Sequence, residues 1–511
     1  MAINFSRFFF KWWPGIAVVG VLILLAGWYY HSTRLPADTT PPVAMENNDY
    51  RFDRVDCWFS FPEQEVISCG RLLTPDNTGG FSLPVVIIHE QSEERRPDPV
   101  LYLQGGPGST AGLNDAGIDY WLAWRDNANF KRDVIFMDPR GTGDSKPQLA
   151  CASFDRLSLE ILREDITLQE EFRRGDLGMQ ACFRHAANAY FNPEFFGTQQ
   201  SASDIHGLIN ALPEYPQWNL FGVSYGTRLA MAAAFQFPAV RAMVLDSPYP
   251  AGRGDMEQWP EVFDQAIQRF ANWCDADAKC TGESRENFIA RLRQVLQQLK
   301  AYPVSLSVAR WDGEWPVRLL LNDHRFLSFL FSSIYDANSW PHISEAMSIV
   351  LGSEKGFYPY ADRTRMAELM QSLVNQAVST DFFPMVFDAV DCADQTAVRQ
   401  DVYEDHIKRY PLLADYTRDL WQFQRCDPNI IPAPLRLNAE NIPEQPALLL
   451  SGDIDPITPA HWAEALHQQW PSSQWLEMKN TGHAVTVTHG CLLERAVDFF
   501  DHPDKKFTGC W

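Results

Sequence analysis

The sequence predicts an α/β protein: a mostly parallel, doubly wound sheet, interrupted by a large helical cap and preceded by an amino-terminal membrane anchor. Three observations carry this expectation. Apolar runs such as Val100–Leu103, Val134–Met137, Ala242–Leu245 and Ala447–Leu450 are too short for helices and alternate with amphipathic stripes, the pattern of strands covered on both faces. Between 258 and 440 strand signals nearly vanish, and helical stripes rich in Trp, Tyr and Phe replace them. Finally, Trp218–Phe221 rises into Gly222-Val223-Ser224-Tyr225-Gly226, followed by the helix-forming run Leu229–Phe235 and the stop at Pro238. The order strand, tight turn, helix is set there by local chemistry alone.

At 511 residues the chain can bury a large core, and a net charge of −22 repels nucleic acid phosphates and offers no polybasic membrane patch. The amino terminus has its own character. Arg7 and Lys11 precede an uncharged stretch, Trp12–Tyr30, with aromatics at both ends. It is long enough to span a bilayer and longer than a usual signal-peptide core. Leu25-Ala26-Gly27 resembles the start of a lipoprotein site, but Trp28 stands where a cysteine would be needed. Residues 1–34 are therefore expected to form an uncleaved anchor, with secretion after cleavage as the alternative. Residues 35–50, with Pro36, Pro41 and Pro42, read as a linker.

The expected body follows as 51–250, the first part of the sheet domain; 251–440, the helical cap; and 441–511, the last part of the sheet domain. A short hairpin is expected between Cys57 and Cys69, then a strand at Leu83–Ile88, a turn over Glu90–Pro99 and a helix with its stripe at Ile205, Leu208, Ile209 and Leu212. Weak strand signals occur in the cap at Val304–Val308 and Val317–Leu321. A last strand at Trp475–Met478 and a helix at Leu492–Phe500 close the chain. The ten cysteines fall in order as Cys57/Cys69, Cys151/Cys182, Cys274/Cys280, Cys392/Cys426 and Cys491/Cys510. They look like local pairs, although the sequence cannot choose the connectivity. There is no CxxC and no zinc-like spacing, so disulfides in an oxidising compartment are the better reading. No cofactor or metal is expected.

The chemistry sits at predicted strand ends. A serine hydroxyl needs a base to take its proton, and the base needs an acid to orient it. Ser224, Asp455 and His483 occur in the order Ser, Asp, His found in α/β-hydrolases. Asp453 competes as the acid and His489 as the base. His89, His324 and His461 read more simply as surface or packing residues. Gly105-Gly106 follows the strand at Val100–Leu103 and lies ahead of Ser224, where one oxyanion donor is expected. Gly106 and Tyr225 are the expected donors.

These residues resemble a family, the α/β-hydrolase exopeptidases typified by prolyl iminopeptidase and tripeptidyl aminopeptidase. The resemblance rests on Gly105-Gly106-Pro107-Gly108, Asp138-Pro139-Arg140-Gly141-Thr142-Gly143-Asp144-Ser145, Gly222–Thr227, Asp455-Pro456-Ile457-Thr458-Pro459 and Gly482-His483. Cys151 after the Arg-Gly-Thr-Gly segment, Cys392-Ala393-Asp394 in the cap and the pair Cys491/Cys510 are similar to the secreted tripeptidyl aminopeptidase-like branch. Gln104 stands where that family usually has histidine, and Pro139 where glutamine is common. The resemblance implies release of one to three residues from the free amino terminus of a short peptide, often at proline or small apolar residues. A carboxylesterase acting on hydrophobic esters is the alternative, and an inactive hydrolase-fold binding module is a third reading. An aminopeptidase must hold an α-ammonium, for which the cap offers Asp336, Asp388, Asp391 and Asp394.

Overall fold

The computed structural model describes residues 49–187, 191–235, 237–253, 258–277, 280, 284–394, 400–421 and 442–510. The apolar stretch Trp12–Tyr30 and Cys426 lie outside them. Among the described residues no helix is long and apolar enough to cross a membrane.

One nine-stranded sheet organises the chain. Its strands are β1 (Arg51–Val55), β2 (Ile67–Leu73), β3 (Ser82–Ile88), β4 (Arg96–Leu103), β5 (Arg132–Met137), β6 (Trp218–Val223), β7 (Val240–Asp246), β10 (Ala447–Gly452) and β11 (Ser473–Met478). They lie in the order β1-β2-β3-β5-β4-β6-β7-β10-β11. The first three are antiparallel to their neighbours, and the six from β5 to β11 run parallel. Strand β6, with every residue buried, lies inside the parallel part. Its period-2 alternation sends Leu220 to one face, among Leu101, Met243 and Leu449, and Phe221 to the other, among Tyr102, Val244 and Leu448. Burial on both faces is why the central strands read as mainly apolar runs, and the buried Asn219 of β6 donates to Asp98 and to the Pro99 carbonyl.

Two boundaries differ from the sequence reading. The expected hairpin starts earlier, because β1 and β2 pair from Arg51↔Leu73 to Val55↔Cys69, and the disulfide ties Cys57, just past the end of β1, to Cys69 within β2. Strand β4 begins at Arg96, inside the expected turn. Arg96 pairs with Arg132, the register then shifts, and the ladder resumes at Val100, since Pro97 and Pro99 have no N–H to donate.

The cap forms its own apolar cluster, built from the helices Trp259–Ala276, Arg285–Ala301, Asp323–Tyr335 and Trp340–Gly352 and the hairpin β8 (Val304–Val308) and β9 (Val317–Leu321). The helices Ala152–Ile161 and Leu168–Ala187, which sequence boundaries place with the sheet, join the two units. Met179, Cys182 and Phe183 pack on the sheet, whereas Arg325 donates to the carbonyls of Ile161 and Leu162. Disulfides join Cys151–Cys182, Cys274–Cys280 and Cys491–Cys510 as well. Cys392 is disulfide-bonded too, and its expected partner Cys426 is outside the described residues. Four located bridges suggest an extracytoplasmic protein.

Candidate active site

The carboxyl ends of β4, β6, β7, β10 and β11 converge, as ligand-facing loops do in an open parallel sheet. Ser224 stands at the end of β6 with φ 56° and ψ −121°, a region that costs free energy for any residue with a Cβ. Glycines make the turn feasible. A Cβ at Gly222 would lie 2.5 Å from the Gly226 carbonyl oxygen, and one at Gly226 would collide with the carbonyl of Leu103. The turn is tied on both sides: the Ser224 N–H donates to the Asp246 carbonyl at 2.9 Å, and the Ser224 carbonyl accepts from Thr227 N–H at 2.9 Å and its hydroxyl at 2.6 Å. Tyr225 opens the helix Tyr225–Ala234, so its N–H is one of the first-turn amides without a helical partner.

His483 and Asp455 meet as the sequence order predicts. His483 Nδ1 lies 2.7 Å from Asp455 Oδ2, which also accepts the Thr458 hydroxyl at 2.7 Å. Asp455 Oδ1 accepts the N–H groups of Ile457 at 2.9 Å and Thr458 at 2.8 Å. Burial pushes the Asp455 carboxyl up, but the His483 imidazole and these donors outweigh it and hold it below the usual carboxylate range. With Nδ1 engaged, the other ring nitrogen of His483 is left for the chamber that Ser224 also lines. Tyr335, from the cap helix Asp323–Tyr335, lies against the base. Its ring centroid is 4.6 Å from that of His483, and its carbonyl accepts the His483 N–H at 2.9 Å.

The competing candidates face elsewhere. Asp453 accepts the Thr481 N–H at 3.3 Å, and His489 Nε2 bonds the Thr481 hydroxyl at 2.8 Å. A second Ser–His–Asp chain exists, with Ser68 Oγ 2.8 Å from His89 Nε2 and His89 Nδ1 2.9 Å from Asp133. It lies where β5 begins, at the opposite end of the sheet, and its carboxylate is clamped by Arg95 at 2.7 and 2.6 Å. Ser68 is part of the β2 ladder, so it has neither a sharp turn nor a following helix end to supply amide donors. His324 is a packing residue, 2.9 Å from Glu171.

The loop after β4 comes close to the serine. A Cβ on Gly105 would sit 3.2 Å from Ser224 Cβ, and Gly106 has φ 111°. Behind the loop, buried Asp138 accepts the Ala111 N–H at 2.7 Å and the Asp144 N–H at 3.2 Å. Burial pushes the Asp138 carboxyl up to about 6 despite those donors. Gln104 donates to the Met137 carbonyl at 3.3 Å, which anchors the loop to β5.

Over the site lies a chamber of about 540 Å³, with Phe172, Trp259, Phe331, Tyr335, Phe382 and Phe387 among its walls. Among the described residues that line it, Asp391 is the one carboxylate, and there is no Lys or Arg. The other cap acids singled out in the sequence lie outside that lining. Asp394 accepts the N–H of Thr198 at 3.1 Å and its hydroxyl, and lies 3.6 Å from Arg228. Asp336 caps the turn Ala337–Ser339, and Asp388 is buried outside the lining. No group of three or more His, Cys, Asp or Glu among the described residues is placed to hold a metal ion.

A match to the alpha/beta hydrolase fold family spans residues 98–489 and takes in Ser224, Asp455 and His483. The chain belongs to that family. Within it, the chain is similar to the serine protease Hip1 of Mycobacterium tuberculosis, 25% identical over 300 residues, covering 55% of each chain. The chain thus spans about half the length of that relative. It is also 23% identical to the putative hydrolase YuaR of Escherichia coli over 445 residues, covering 81% of this chain and 80% of that one. A solved proline iminopeptidase of Mycobacterium smegmatis aligns with 12% identity and a TM-score of 0.35, covering 84% of this chain and 97% of that one. The protein is an α/β-fold hydrolase.

Proposed function

We propose that this hydrolase is a serine aminopeptidase that releases one to three residues from the free amino terminus of short peptides. Ser224 attacks the scissile carbonyl. His483 takes its proton and returns it to the leaving amine, with Asp455 holding the imidazole in the required tautomer. The N–H groups of Gly106 and Tyr225 stabilise the oxyanion. The observation that carries the substrate class is the chamber wall. Aromatic side chains and the carboxylate of Asp391 form an apolar enclosure with one anionic point among its described residues, which suits an ammonium on a small or apolar peptide end. Deletion of residues 1–34 is expected to leave the catalytic domain active, because we read that segment as a tether for a domain outside the cytoplasm.

The same aromatic walls also favour hydrophobic esters, and one experiment separates the two readings. Peptidyl amides with free and with acetylated amino termini are compared alongside nitrophenyl esters, in wild type and Asp391→Asn. Loss of a charged hydrogen bond worth about 1.5–3 kcal/mol should lower kcat/KM on free peptides roughly 10- to 100-fold. Acetylated peptides should already be poor and little changed. Equal rates on both peptide forms, or turnover of esters alone, would assign the esterase function.

A further inference from the structure

Strand β7 ends on Asp246, and Ser247 follows it; both are fully buried, and sequence reasoning gives neither a role. The main chain of this dipeptide joins neighbouring strands: the Asp246 carbonyl accepts the Ser224 N–H at 2.9 Å, and the Ser247 N–H donates to the Leu450 carbonyl at 2.8 Å. Its side chains reach across to the segment after His483. Asp246 accepts the N–H of Val485 at 2.9 Å, the N–H of Thr486 at 2.8 Å and the Thr486 hydroxyl at 2.6 Å. Ser247 Oγ accepts the Ala484 N–H at 2.9 Å and donates to Asp246 at 3.1 Å. Three consecutive amides that follow His483 therefore end on this dipeptide, whose Asp246 carbonyl holds the amide of Ser224.

The local backbone shows what this bracket resists. Ser224, Ser247 and Ala484 have φ of 56°, 57° and 57°, a left-handed region that persists for non-glycine residues only where surroundings over-determine it. A buried carboxylate is also costly unless donors surround it. Burial pushes the Asp246 carboxyl up, against which the Thr486 and Val485 donors and the His483 charge act. The sequence places that costly group where its carbonyl touches the serine segment and its carboxylate touches the histidine segment.

We infer that Asp246-Ser247 is a positioning unit that sets the distance and orientation between Ser224 and His483. Neither residue touches a reacting atom. The inference rests on the reading of Ser224 as nucleophile and His483 as base. A purely structural role would lower thermal stability but leave the folded fraction fully reactive. A positioning role slows the chemical step in folded protein and leaves ground-state binding alone.

The test measures the rate of Ser224 labelling by a fluorophosphonate, together with kcat and KM, in variants shown to be folded at the assay temperature. Asp246→Asn replaces an acceptor with an amide N–H that opposes its donors, and should lower labelling and kcat on the order of 100-fold with KM within about twofold. Thr486→Val removes one donor at nearly constant volume and should cost about tenfold, whereas Thr486→Ser keeps the hydroxyl and should restore most of the rate. If Asp246→Asn does not fold, the Thr486 pair decides. Folded variants that label at the wild-type rate, or a loss that appears in KM alone, overturn the inference. A wild type that does not label at Ser224 instead refutes the underlying reading of the nucleophile.

Discussion

Gly222→Ala tests whether the geometry of the serine turn, rather than the mere presence of Ser224, supports reactivity. The new Cβ would meet the Gly226 carbonyl oxygen at 2.5 Å, its carbon at 2.6 Å and the Thr227 nitrogen at 2.8 Å. All three are main-chain atoms of the first helical turn, so no side chain can swing away. Ordinary contact begins near 3.4 Å, and the helix start must therefore retreat from β6 by about 0.9 Å. Ser224 and the Tyr225 N–H lie between the two elements and must move with it. A misplacement of about 1 Å costs roughly 100-fold in rate, equivalent to about 2.7 kcal/mol of barrier, and backbone displacement of this kind destabilises by about 1–3 kcal/mol. The assay is thermal melting together with fluorophosphonate labelling of folded protein. Gly175→Ala is the control. Gly175 lies inside the helix Leu168–Ala187, and a Cβ added there would find nothing within 4 Å, so the variant should gain up to about 1 kcal/mol and keep its labelling rate. Wild-type melting and labelling in Gly222→Ala would refute the steric argument.

Three further outcomes follow from named contacts. Thr458→Val removes the hydroxyl bonded to Asp455 and should lower kcat about tenfold, as expected for a lost hydrogen bond to a buried charge of about 1.5 kcal/mol; an unchanged kcat would show that the two backbone donors suffice. Asp138, pushed up to about 6 in the folded chain from its ordinary value of 3.8, binds more protons folded than unfolded between those pH values. Ionising it therefore costs stability as pH rises through that window, a penalty that is absent at lower pH. Urea melts of Asp138→Asn and wild type should differ by an amount that shifts toward the variant by about 3 kcal/mol from pH 4 to above pH 6, and a flat difference would contradict the sign. Replacing Cys151 and Cys182 with serine opens a bridge across 31 residues and should cost about 3–4 kcal/mol, read as a lowered melting temperature.

Much of the sheet was legible because its central strands are covered on both faces, so the runs at 83–88, 134–137, 220–223 and 447–450 carry no polar interruption to confuse them with loops. The order of Ser224, Asp455 and His483 along the chain was legible for a related reason: Ser224 and Asp455 follow such runs, and His483 follows the weaker strand stretch Trp475–Met478. What stayed hidden depends on docking. Asp388, Asp391 and Asp394 recur at intervals of three on the helix Pro384–Asp394, and successive members rotate by about 60° around its axis. Only the seating of that helix decides that Asp391 lines the chamber while Asp394 turns inward to Thr198. The helices Ala152–Ile161 and Leu168–Ala187 were missed, and their apolar residues divide between the sheet, with Phe154, Met179 and Phe183, and the cap, with Leu159. Asp246 reads in sequence only as the last residue of a strand, and its four donors come from residues 1 or about 240 positions away.

The contacts between cap and sheet bear on how substrate is selected. Ile454, in the loop that presents Asp455, is 3% exposed and belongs to the cap's apolar cluster. Tyr335 accepts the His483 N–H, and a Cβ on the preceding Gly482 would lie 2.6 Å from the Ile334 carbonyl, so the base loop is fitted against the end of a cap helix. On the other side, Phe383 N–H donates to the Gly108 carbonyl at 2.8 Å, which fastens the oxyanion loop to the start of the helix that carries Asp391. At the far end of that helix Asp394 binds Thr198, whose hydroxyl lies 2.8 Å from that of Tyr225. Raising the cap as a unit would break contacts at the acid, the base, the oxyanion loop and the helix behind the serine together. Cap and sheet are in this sense one catalytic body. Selection then falls to the walls of a chamber that is already formed. Asp391, the one carboxylate among the described residues of those walls, is the residue whose removal should change what the enzyme accepts more than how fast it reacts with a small phosphonate.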